Sequence, residues 1–77
     1  MNEPFSKPDP RYRPYLTERQ REILAGLANG QTGKQIASEQ KLSPRTVYQH
    51  IGTLKRLLKA SNCAQIIRRA AEWNLIE

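Results

Sequence analysis

The sequence predicts an all-α fold, a bundle of four helices preceded by an extended proline-rich arm. Three observations predict it. Four short signals recur along the chain, each pairing a capping side chain with a residue suited to a helix's first turn. Apolar residues after each signal fall at i, i+3, i+4 and i+7, the spacing of one buried helical face. No pair of alternating apolar runs joined by a turn dipeptide marks a β-hairpin.

The arm comes first. Residues 1–15, "MNEPFSKPDPRYRPY", hold four of the five prolines. Proline fixes φ and lacks an amide donor, so this stretch suits neither helix nor central strand. Arg11 and Arg13 make its end basic. It reads as a flexible tail, with contact to a partner as the functional alternative. The folded unit is expected over 16–77.

Each helix then has its own start. "LTERQ" offers Thr17 as N-cap with Gln20 three residues on, "QTGKQ" offers Thr32 with Gln35, and "SNCAQ" offers Asn62 with Gln65. The cap oxygen accepts a free backbone N–H, and a Glu or Gln at the third position can reach back to the cap's own N–H. "LSPRT" offers Ser43 with Pro44 at the first helical position, where the missing N–H has no helical partner in any case. Gly30 and Asn74 can take the left-handed conformation that stops a helix. The helices are expected at about 18–29, 33–40, 44–58 and 63–73, within a few residues.

The predicted core follows from these frames. The first helix supplies Ile23, Leu24, Leu27 and Ala28, and the second Ile36 and Ala37 with Leu42 just beyond it. The third supplies Val47, Ile51, Leu54 and Leu58, and the fourth Ile66, Ile67, Ala70 and Ala71. Leu16, Leu75 and Ile76 close the ends.

Composition narrows the function. The 77 residues suffice for one small domain, which buries only about 60% of the surface its unfolded chain exposes, so association with a second copy would help it. Thirteen Lys and Arg against seven Asp and Glu give a formal charge of +6 and a pI near 10.0. A polyanionic partner suits that balance, nucleic acid before an acidic membrane surface. No apolar run reaches the length of about 18 residues that a membrane span needs. The first residues lack the apolar centre of a signal peptide, and a reducing cytoplasm fits the single cysteine, Cys63. One histidine and one cysteine, apart in sequence and without an acidic pair at motif spacing, make poor material for catalysis or a metal site. No enzyme activity and no cofactor are expected.

A short helix, a tight turn around "QKLS" and a longer helix make a helix-turn-helix, whose second helix can enter the DNA major groove. On the outward face of that helix Arg45, Tyr48, Gln49, Gly52 and Arg56 lie at i, +3, +4, +7 and +11, with Lys55 and Lys59 flanking them. Gln49 can pair with the N6 and N7 edge of adenine. Tyr48 can offer its hydroxyl to a phosphate or its ring to a thymine methyl. Arg45, Arg56 and Lys59 can hold phosphates, and Lys34 adds charge near a helix N-terminus that already favours an anion. Gly52 is unusual, because a glycine inside a helix costs about 1 kcal/mol relative to alanine.

From Leu16 to Ile76, about four-fifths of its length, the chain resembles the LuxR-type, or spore-germination-regulator-type, helix-turn-helix domain. "LTERQREIL", "LANGQTGKQIA", "LSPRTVYQHIGTLKRLL" and "SNCAQIIRRAAEWNLI" carry the resemblance in that order. It implies a bacterial transcription regulator, of chromosomal, phage or plasmid origin, that binds double-stranded DNA through its third helix. It also implies a homodimer through the fourth helix, where Ile67, Ala70, Ala71 and Trp73 are the candidate contacts. Tyr48, Gln49 and Gly52 match the family's base-facing positions, and Arg45, Thr46 and Arg56 its backbone-contacting ones. With no room for a sensor or receiver domain, the chain looks like a stand-alone member. Gln20 and Gln35 stand where the family often has Glu. Gly33 replaces a common Asn, removing a possible phosphate contact, and Gly52 replaces a position that is often polar or basic. The alternative reading is a protein-interaction module that binds a larger regulator or RNA polymerase, with the promoter-reading end of a sigma factor as a variant.

The remaining polar and aromatic residues have plainer readings. His50 is expected beside the core, Cys63 half-buried at a helix start, Arg68 and Arg69 in solvent. Trp73 is expected to pack under the tail if it does not anchor a dimer.

Overall fold

The computed structural model of the protein describes residues 14–76. The expectations for Arg11, Arg13 and most of the arm lie outside these residues. Of the arm's last two positions, Pro14 is buried and Tyr15 exposed.

Four helices follow in order: α1 (Glu18–Ala28), α2 (Gly33–Gln40), α3 (Pro44–Leu57) and α4 (Cys63–Glu72). Among the described residues there is no strand. The helices begin where the caps place them. Thr17 and Thr32 each accept the N–H of the glutamine three residues on, and Gln20 and Gln35 each return a carbonyl oxygen to the cap's N–H at 2.8 Å. The neutral amide therefore closes the capping box without the charge of Glu. Ser43 caps α3, accepting from the Thr46 N–H at 3.1 Å. At α4 the expectation needs correcting. Asn62 accepts the Gln65 N–H, but Gln65 Oε1 reaches one residue further back, to the N–H of Ser61.

All four helices stop in the same way. A residue with positive φ follows the last turn, Gly30, Lys41, Lys59 and Asn74 in turn. The next residue then donates its N–H to a carbonyl five positions back: Gln31 to Gly26, Leu42 to Ala37, Ala60 to Lys55 and Leu75 to Ala70. This pattern satisfies carbonyls that would otherwise lack a partner. Leu58 and Trp73 fall in the cap and not in the helix proper.

α1 touches each of the other helices, and α2 and α4 meet only α1 and α3, not each other. The central α1–α3 pair thus carries one helix on either side. Ile23, Leu24, Ile36, Val47, Leu54, Leu58 and Ile66 are fully buried between them. Leu16, Trp73 and Leu75 close the open ends. Outside the core, Arg19 spans α1 and the end of α2 through Gln40 at 3.1 Å.

Several burial expectations change. Ala28 and Ala71, read as core, are exposed at the edges of their apolar rows. Arg69, expected in solvent, is only 9% exposed. It follows Ile66 by three positions and so shares that residue's buried face, where an arginine can lay its methylene stem along apolar surface. Cys63 is exposed instead of half-buried. It is the first helical residue of α4, and the core-facing row of that helix begins only at Ile66. His50 is half-buried beside the core, as read.

Candidate nucleic-acid interface

The turn between α2 and α3 is short because the left-handed Lys41 reverses the chain at once. Leu42 then packs partly against the core, and Ser43 starts the next helix. α3 buries Val47, Ile51 and Leu54 on one side. The opposite side follows by helical geometry. Arg45, Tyr48, Gln49, Gly52 and Arg56 are all exposed there. Lys34 is exposed near the start of α2, Lys55 is half-buried, and Lys59 is exposed just past the end of α3. Lys59 therefore sits in the left-handed cap and not on the helical strip itself.

The strip divides by how firmly its side chains are held. Gln49 makes no side-chain hydrogen bond among the described residues, so its amide is open to a base edge, while its backbone carbonyl accepts from the Thr53 hydroxyl at 3.2 Å. Arg56 reaches back to the same hydroxyl at 3.4 Å, which steadies it along the helix surface. Thr46 is half-buried and its Oγ1 lies 2.9 Å from Ser43 Oγ, so its hydroxyl already serves the helix start.

Charge reinforces the geometry. From Gln40 to Ala71 the chain carries seven Lys and Arg and no Asp or Glu. The third helix and its flanks thus form a one-sign surface with aromatic and amide groups between the cations, the mixture that phosphate gripping and base reading need.

One relationship was not visible in the sequence. The ring of Tyr48 lies against Gly33, the first residue of α2. A β-carbon on Gly33 would stand 2.7 Å from Tyr48 Cζ and 2.8 Å from Cε1. Gly52 is different, with nothing within 4 Å of where its β-carbon would be. The two glycines that depart from the resembled pattern therefore have separate explanations. One makes room for a neighbour, and the other leaves open surface. Fifteen positions and a turn separate Gly33 from Tyr48, so no local pattern links them.

On α4 the four candidate dimer contacts part company. Ala70 is fully buried and Trp73 6% exposed, so both belong to the core of the single chain. The expectation that they form a contact face is corrected, since α1 and α3 already take that side of α4. Ala71 remains exposed and Ile67 partly buried.

The family described as bacterial regulatory proteins, luxR family, matches residues 14–70. Among curated relatives, the transcriptional regulatory protein UhpA of Escherichia coli (strain K12) is 43% identical over 54 residues, 70% of this chain. The uncharacterized transcriptional regulatory protein YhcZ of Bacillus subtilis (strain 168) is 33% identical over 87% of it. The solved structure of the response regulator ChrA of a heme-sensing two-component system superposes on 86% of the chain with a TM-score of 0.79 and 30% identity. The chain spans only 28%, 32% and 33% of these three proteins respectively.

Proposed function

The chain belongs to the luxR family of bacterial regulatory proteins, and from that premise we propose that it regulates transcription by binding duplex DNA with α3 in the major groove. The observation that carries this reading is the continuous exposed strip of Arg45, Tyr48, Gln49, Gly52 and Arg56, opposite the buried face of α3. Arg45, Lys55, Arg56, Lys59 and Lys34 supply phosphate contacts and most of the affinity. Gln49 and Tyr48 supply sequence preference. Thr46 acts through its backbone and the helix start more than through its hydroxyl.

The protein acts as a dimer in this reading. On α4 the outward Ala71 and the partly open Ile67 are the contacts left for a second copy. Two-fold symmetry calls for a near-palindromic site with half-sites about one helical turn apart. The relatives named as transcriptional regulatory proteins support the regulatory role.

Selection of bound sequences from a random duplex pool, with mass measured in solution alongside, tests the reading. A two-fold-related consensus and salt-sensitive binding are expected. Absence of any salt-sensitive duplex binding at low ionic strength overturns it.

A further inference from the structure

We infer that Gly33 is a specificity-determining residue of the DNA surface, acting through Tyr48: the missing side chain on α2 is the seat that fixes the tyrosine ring on α3. The inference rests on the DNA-binding reading above.

The geometry begins with what Gly33 does not need. Positive φ is the usual reason for a glycine, and among the described residues Gly30 is the glycine that has it. Gly33 opens α2 at an ordinary helical position after the Thr32 cap. Alanine would suit that position better by propensity. What alanine lacks is room. Its β-carbon would come 2.7 Å from Tyr48 Cζ, 2.8 Å from Cε1 and 3.0 Å from the hydroxyl oxygen. Those are the far atoms of the ring, so the phenol end of Tyr48 rests on the start of α2.

That contact has consequences for reading DNA. Tyr48 is 54% exposed, so one part of its ring is held by α2 while the rest faces solvent. A side chain projecting freely from a helix loses rotamer entropy when it meets a base or phosphate, and one already seated loses less. The seat also fixes where the hydroxyl lies relative to the Gln49 amide, one residue on. A β-carbon at position 33 meets the ring and not the core, because its nearest neighbours are ring atoms of Tyr48, which is half-exposed and can swing about χ1. The variant therefore changes recognition while leaving the fold intact.

A four-protein cycle tests this: the natural chain, Gly33→Ala, Tyr48→Ala and the double variant. Each is measured for thermal midpoint, affinity for the duplex selected by the natural chain, affinity for a random duplex, and preferred sequence. In the free natural protein, nuclear Overhauser contacts between the Gly33 α-protons and the Tyr48 ring protons read the seat without DNA. The contacts are expected in the natural chain. Gly33→Ala is expected to lower affinity for the selected duplex about tenfold, the size of one lost specific contact, and to shift the preferred sequence. Random-duplex affinity stays unchanged, and the thermal midpoint does not fall. In the Tyr48→Ala background the same change is expected to be silent in DNA affinity and in preferred sequence. An equal loss in both backgrounds, an unaltered sequence preference, or missing ring contacts overturns the inference while leaving DNA binding standing. If the natural chain binds no duplex, the DNA-binding reading itself falls and takes the inference with it, whatever the ring contacts show.

Discussion

Gly26 of α1 and Ile36 of α2 meet so closely that a β-carbon on Gly26 would stand 2.8 Å from Ile36 Cγ1. Ile36 is fully buried, and its Cγ1 is not the free end of a mobile side chain. Gly26→Ala therefore forces α2 or its core side chains outward. Overpacking of this kind costs about 1–3 kcal/mol, against a helix-propensity gain of about 1 kcal/mol. A net loss of up to about 2 kcal/mol is expected, and each kcal/mol lowers the melting midpoint of a domain this size by about 4–8 °C. Thermal unfolding followed by circular dichroism checks it. A midpoint above that of the natural chain refutes the close packing.

Gly52 gives the opposite result for stability. Nothing lies within 4 Å of its β position, and it sits inside α3 on the exposed strip. Gly52→Ala adds a methyl group to solvent and removes a backbone freedom, which stabilises the fold by about 1 kcal/mol. The same methyl group stands between the α3 backbone and the groove. Affinity for a selected duplex is expected to fall while affinity for random duplex holds. Unfolding curves and paired titrations separate the two effects. A more stable variant with unchanged specific binding shows that the glycine plays no part in close approach.

The helix ends show why some of this was legible and some was not. Caps at Thr17, Thr32, Ser43 and Asn62 are local chemistry, a side-chain oxygen three residues from the N–H it accepts, and the sequence displays that spacing directly. The apolar rows of α1 and α3 are legible for the same reason. Gly30 and Asn74 are residue types that favour the left-handed stop, but Lys41 and Lys59 adopt it without advertising it. There the tertiary fold overrides residue preference, because Leu42 and Ala60 must turn back onto the core. Arg69 and Ala71 depart from their expected burial because helical periodicity gives a stripe's direction and not its width, and Cys63 because it does not give where along the helix the stripe begins. The strip from Arg45 to Arg56 was legible as a strip. The seat of Tyr48 on Gly33 was not, since it exists only between two helices.

Lys41 offers a direct measure of that override. Its φ is 57°, and its N–H serves the end of α2. A left-handed backbone disfavours any residue with a β-carbon by about 1–2 kcal/mol, part of which glycine returns through its greater freedom when unfolded. Lys41→Gly is expected to stabilise by about 0.5–1 kcal/mol. Lys41→Val, branched at Cβ, is expected to destabilise. Urea unfolding of the two variants gives the comparison, and a valine variant as stable as the glycine one rules out the left-handed stop.

Arg45 tests both the DNA surface and the number of copies on it. It is exposed in the first turn of α3, where a phosphate contact supplies affinity without reading sequence. The logarithm of the binding constant falls with the logarithm of salt concentration, with a slope near −0.9 for each phosphate neutralised. Arg45→Gln removes one contact per chain. If one chain binds, the slope becomes shallower by about 0.9, and if a symmetric pair binds, by about 1.8. The proposed dimer requires the larger change. Anisotropy titrations of a labelled duplex at several salt concentrations measure it, with the Arg56→Gln variant as an independent repeat on the same strip. A change near 0.9 in both variants rejects the dimer while keeping the DNA contact, and no change in either removes Arg45 and Arg56 from the interface.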